Sequence, residues 1–166
     1  MTTTTYASRI ATTRPARPGT TSYVLVRDEH ADAAQGNMPR LDALCPTAFM
    51  GYGVAETQAI EAWVGHRLVG RALVARQQLA GPPLRGVYRI HGVAVDEPGD
   101  VTGLIEQAIG YAAAQGGRLL WGHTHLGAVD IWRRCGFAIA GPPVSALDGG
   151  VRALMTRRLT SADAVS

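Results

Sequence analysis

The stretch Val87–Val95 (VYRIHGVAV), followed by 96–100 (DEPGD), 101–117 (VTGLIEQAIGYAAAQGG) and Arg118–His125 (RLLWGHTH), decides the fold. Val87–Val95 is a long apolar run with little polar alternation, as in a strand buried at the centre of a sheet. Val101, Leu104, Ile105, Ala108, Ile109 and Ala112 then recur at helical spacing and form one apolar stripe. Asp100 stands where an N-cap belongs, and Gly116-Gly117 supplies the stop. Arg118–His125 reads as the returning strand. Strand, helix, strand implies a right-handed crossover and a parallel pair.

Outward from this unit, Tyr23–Arg27 reads as a first strand from its β-branched content. Ala59–Val64 and Leu68–Ala75 read as two strands joined by a hairpin at Gly65-His66. Residues 28–50 suggest a helix broken around Gly36 and Pro39. Leu79–Gly86, with Gly81-Pro82-Pro83, reads as a loop. Gly127–Arg134 predicts a short helix, Gly136–Ala140 a strand edge and Val151–Leu159 a last strand. An antiparallel hairpin beside a parallel unit gives a mixed-sheet α/β (α+β) domain. One domain is expected over 22–160. A Thr-rich disordered tail is expected over 1–21, in preference to a transit peptide, and a short tail over 161–166.

Composition narrows the function. The 166 residues are 46% apolar and 17% charged, ample for one core. No apolar run approaches the ~18 residues of a membrane span. All sixteen basic residues are Arg, which excludes a Lys Schiff base and a phosphate-loop Lys. The Arg cluster towards the two ends, whereas 90–117 holds Asp96, Glu97, Asp100 and Glu106 and no Arg. No basic helix face emerges, so nucleic acid is not an expected partner. Cys45 and Cys135 are too few for a disulfide framework or a four-cysteine zinc site, and fit a cytoplasmic protein.

Four stretches in order resemble the GNAT superfamily of acyl-CoA-dependent N-acetyltransferases: the hairpin strand with Val69-Gly70; Ile90–Val95 with Pro98 and the helix; Gly116–Trp121; and Ala128–Phe137, ending in Arg133-Arg134-Cys135-Gly136-Phe137 before Gly141-Pro142-Pro143. The resemblance spans about 22–159. It implies a mostly antiparallel mixed sheet, flanked by helices, whose central parallel strands splay apart to admit acetyl-CoA. It also implies that backbone amides of Val93, Ala94 and Val95 hold the pantetheine arm and polarise the thioester, and that the turn with Gly99 and Gly103 holds the diphosphate. A small-molecule amine would attack the thioester directly. Analogy with such folds admits a homodimer, and the sequence leaves the oligomeric state open.

This chain departs from the family pattern in two places. The diphosphate turn is short and carries Asp96, Glu97 and Asp100; two unit charges ~4 Å apart at an effective dielectric of ~20 repel by about 4 kcal/mol. Where the family often has a Tyr that protonates the leaving thiolate, Trp132 stands, and an indole cannot do so. Trp132 is expected in packing or in the substrate pocket.

The histidines are the candidate acid–base groups, because imidazole titrates near neutrality. His91 shares a strand face with Arg89, Val93 and Val95 by period two, and His123 and His125 share one with Leu119 and Trp121. Any of the three is a candidate base, set against the plainer role of partly buried polar residues bonded to backbone. A His-x-His pair with a third His also matches a three-histidine zinc site, but no further residue supports one and no metal is expected. Glu61 is a candidate acceptor-pocket residue, against a solvated strand face. Cys135 reads as a buried small hydrophobe, His66 as a hairpin residue and His30 as a loop residue. Besides the acetyltransferase, two alternatives stand: a GNAT-fold enzyme that has lost CoA and uses its cleft for a His-assisted cyclisation, elimination or hydrolysis, and a non-catalytic ligand-binding or partner domain.

Overall fold

The computed structural model describes residues 21–27, 54–78, 83–96, 100–146 and 149–165. The expectations for 1–20 and 28–50, including His30 and Cys45, and those for Glu97, Pro98 and Gly99 lie outside the described residues. In chain order the elements are β1 (Thr21–Arg27), β2 (Val54–Val64), β3 (Arg67–Gln78), β4 (Pro83–Val95), α1 (Val101–Ala114), β5 (Leu119–His125), a 3-10 turn (Leu126–Ala128), α2 (Val129–Arg134), β6 (Ala138–Ile139), β7 (Val144–Ser145), β8 (Val151–Arg158) and a 3-10 turn (Ser161–Val165). The strands form one sheet in the order β1-β2-β3-β4-β5-β8-β6, with β7 also on β8. Among the described residues β4 and β5 run parallel and the other pairs antiparallel. This is the mixed sheet that the hairpin and the strand–helix–strand unit predicted.

Helix α1 forms where the stripe lies. Leu104, Ile105, Ala108, Ile109 and Ala112 are buried against the sheet with Ile60, Ala72, Val74, Tyr88 and Ile90. Its end is a Schellman motif: the Gly117 N–H bonds Ala112 O (2.8 Å) and the Gly116 N–H bonds Ala113 O (2.9 Å). Gly116 holds φ +76, where a Cβ is disfavoured. Asp100 is the N-cap residue, but its side chain makes no cap bond. At the far end of the chain Asp163 pairs with Arg157 and accepts from the Thr160 N–H (2.7 Å), which holds its carboxyl below the usual range. These bonds fix the last 3-10 turn.

Three sequence expectations change. Strand β4 starts at Pro83, inside the stretch read as a loop; a proline is tolerated as a strand's first residue. The two-residue strand β7 was not anticipated, being too short to show any periodicity. The third change matters most for function. Val74 pairs with Ile90 but Leu73 pairs with Gly92, so His91 is an extra residue and forms a β-bulge. The bulge shifts the alternation by one. Val93 and Val95 therefore do not share a face with Arg89: they pair with Ala72 and Gly70 and pack on the helix-covered core.

Candidate active site

The β4–β5 ladder decides the site. Its rungs run from Val87–Leu119 through Tyr88–Leu120 and Arg89–Trp121 to Ile90–Gly122. There the ladder stops, although β4 continues to Val95 and β5 to His125. The two strands part in mid-sheet. Beyond Ile90, β4 keeps its rungs to β3 on one edge and has none to β5 on the other. A row of backbone groups on 91–95, including those of Val93, Ala94 and Val95, thus borders the opening. Such groups need hydrogen-bond partners, and a ligand lying along the edge supplies them.

On the helix-covered face the fork is filled tightly. Trp132 is buried and meets Phe137 edge-on, ring centroids 4.8 Å apart. A Cβ added at Gly122 would lie 2.9 Å from both the Trp132 ring and Ile90 O. Trp132 therefore sits at the base of the fork as a core residue. Tyr88 is also core: its hydroxyl donates to Gln115 O (3.4 Å) and binds β4 to the end of α1. Cys135 is a buried free thiol, pushed up chiefly by burial.

The opposite face of the fork is polar. Cross-strand pairing puts Arg89, Trp121 and Thr156 side by side, then His123 with Leu154, then His125 with Arg152. The Arg89 guanidinium lies 4.7 Å from the Trp121 ring centre, and Trp121 meets His123 edge-on at 5.6 Å. His91 joins them from the bulge. Its Nε2 is buried without a hydrogen-bond partner. Burial, and then the positive charge of Arg89, hold its pKa down at about 4. Burial lowers His123 as well, with Arg89 and Arg152 adding to the effect. Both imidazoles are therefore neutral at pH 7. His125 is exposed at the outer end of β5. The fold thus gathers His91 and His123 around Arg89, and leaves His125 at the rim. Among the described residues no three His, Cys, Asp or Glu side chains are grouped to hold a metal ion.

The remaining candidates lie away from the fork. Glu61 is buried on β2, accepting from Arg71 Nη2 (3.4 Å) and Trp63 Nε1 (3.2 Å). At the start of α1, the Tyr23 hydroxyl of β1 occupies the space a Cβ at Gly103 would take, with Asp100 beside it. Burial, followed by Asp100, pushes Tyr23 up to about 12. Asp96 is buried and pairs with Arg67 (3.3 Å). The sequence reading passed over Arg89, Trp121 and Arg152 as site residues. The available signal was a charge, Arg89, in the middle of an otherwise apolar central strand.

No protein-family profile matches the chain, and no curated protein matches it. Solved structures do. A Bacillus subtilis acetyltransferase in complex with CoA superposes with a TM-score of 0.61 at 15% identity, over 85% of this chain and 100% of the other. The ribosomal-protein-S18-alanine N-acetyltransferase of Escherichia coli gives 0.59 at 14% identity, over 85% and 95%. TofI in its apo form gives 0.53 at 21% identity, over 65% and 76%. These likenesses concern the fold. Others that superpose over 84% of the chain are named acetyltransferases of the GNAT family, and the chain has the fold of these enzymes.

Proposed function

We propose that the protein is an acyl-CoA-dependent N-acyltransferase that takes acetyl-CoA as donor and a small-molecule amine as acceptor. The observation that carries this reading is the end of the β4–β5 ladder at Ile90–Gly122. An amide-bearing pantetheine arm laid along the free edge of 91–95 would bond it as an extra strand does. Amides there would also stabilise the oxyanion that forms as the thioester is attacked. The amine reaches the same carbonyl from the polar face. The C–N bond forms, the C–S bond breaks, and the amine's proton passes to a neutral imidazole. His123 is the better base of the two, because His91 at about 4 holds a proton poorly. Trp132 has no acidic proton to give, so the thiolate is protonated from water or from the histidine that received the amine's proton.

The acidic stretch before α1 opposes a diphosphate less than its composition implies. Asp96 is offset by Arg67, whereas Asp100 keeps its charge beside the neutral Tyr23 hydroxyl. The test is thermal unfolding with acetyl-CoA. Ligand at 100 times its Kd stabilises by about 2.7 kcal/mol and raises the midpoint. An unmoved midpoint at millimolar acetyl-CoA would refute the reading. It would then favour the second one, a GNAT-fold enzyme without CoA that uses the cleft for a His-assisted reaction. The Tyr23 hydroxyl seated at Gly103, where a diphosphate would lie, supports that alternative.

A further inference from the structure

We infer that the acceptor is an amine that also carries a carboxylate, and that Arg89 is the residue that binds this carboxylate; the inference rests on the acyltransferase reading. Arg89 is partly buried, one residue before the fork, on the face opposite the helices. Its Nε is buried and has no hydrogen-bond partner. No described carboxylate pairs with it. Its neighbours are the Trp121 ring, His91, whose pKa it lowers, and His123, to which Arg152 adds a second positive charge. The buried acids among the described residues are engaged elsewhere: Glu61 with Arg71 and Asp96 with Arg67.

A charge drawn out of water without a counter-ion is costly, and the cost falls when a ligand supplies the opposite charge. The Trp121 ring, whose centre lies 4.7 Å from Cζ, holds the guanidinium in place by cation–π attraction. A fixed planar fork matches a carboxylate through two parallel N–H···O bonds. The donor's diphosphate is not the anion in question. It belongs at the start of α1, and Arg89 lies six residues before Val95, about 20 Å back along β4 at ~3.3 Å per residue. A carboxylate on Arg89 leaves the amine of the same molecule beside the fork, where attack on the thioester carbon occurs. In that step the C–N bond forms, the C–S bond breaks, the amine's proton goes to His123, and the thiolate takes up a proton. The carboxylate is unchanged.

The experiment uses acetyl-CoA with amino acids and their carboxamides as acceptors. In parallel, N-acetyl-amino acids and their carboxamides serve as ligands in thermal unfolding. Wild type should favour the acids by about tenfold or more in kcat/KM, mainly through KM. Only the carboxylate ligands should raise the unfolding midpoint. Arg89→Met should abolish both preferences. Arg89→Lys, which keeps the charge and loses the fork, should retain part of them and serves if the Met variant does not fold. Equal handling of acids and amides by wild type overturns the inference, as does an undiminished preference in Arg89→Met. Stabilisation by inorganic phosphate but by no carboxylate overturns it too. If no acceptor is acetylated while the carboxylate ligands still bind through Arg89, the acyl-transfer reading falls and the carboxylate site stands. If uncharged amines are acetylated without preference, acyl transfer stands and the carboxylate site falls.

Discussion

His91 should make the fold lose stability as the solution is acidified, in a window set by its own environment. Its folded pKa is about 4 and its ordinary value 6.5, with burial the first cause and Arg89 the second. Between those two values the unfolded chain binds the proton and the folded protein does not, so stability falls as pH drops from about 6.5 towards 4. Above 6.5 the contribution is complete; below 4 it has been lost. A displacement of this size is worth about 3 kcal/mol at ~1.4 kcal/mol per pH unit, and partial contact with solvent trims it to about 2 kcal/mol. The assay is urea unfolding at pH 7 and pH 4, for wild type and His91→Gln. Carboxylates and the remaining histidines titrate in both proteins, so their contributions cancel in the difference. Wild type should lose about 2 kcal/mol more than the variant across this interval. Equal losses would refute the reasoning, because they would mean that His91 is protonated as readily in the folded protein as in the unfolded chain.

Two further predictions concern packing. Gly122→Ala places a Cβ 2.9 Å from Ile90 O and from the Trp132 ring, at the last rung before the fork. It should cost about 1–3 kcal/mol in urea unfolding, and a neutral result would mean that Trp132 does not fill that space. Glu61→Gln removes the negative partner of Arg71 in a pair whose side chains are 1% and 8% exposed. A loss of about 3 kcal/mol is expected by chemical denaturation, and Glu61→Gln with Arg71→Met together should recover part of it. A single variant as stable as wild type would show that the pair is not a buried ion pair.

The elements that were legible in the sequence are those with a clean period. The stripe from Val101 to Ala112 fixed α1 because each apolar side chain faces one sheet. The hairpin at Gly65-His66 was legible because Gly65 takes φ +59, as such a turn requires. What escaped were departures from period. A two-residue turn alone would set Glu61 opposite Gly70, but a register shift after Trp63–Leu68 sets it opposite Arg71. That shift makes the buried ion pair, and nothing local in the sequence announces it. The bulge at His91 has the same character. It sends Arg89 and Val93 to opposite faces of one strand, although their spacing alone would put them together. At the site, the histidines were legible by type and His91 and His123 came together. Arg89 was placed on the strand face of His91 but not read as a site residue, because a lone Arg in an apolar strand reads as a flaw in the pattern until its ring neighbour on β5 is known.

The slot between β4 and β5 is a gap in main-chain bonding, defined by rungs that are missing and not by any particular side chain. Replacement of amino acids along it can be extensive without erasing it. This is why architecture outlasts recognisable wording here: three-dimensional likeness persists at about one identical residue in seven. It also means that the side chains lining the slot can change in size and charge without closing it.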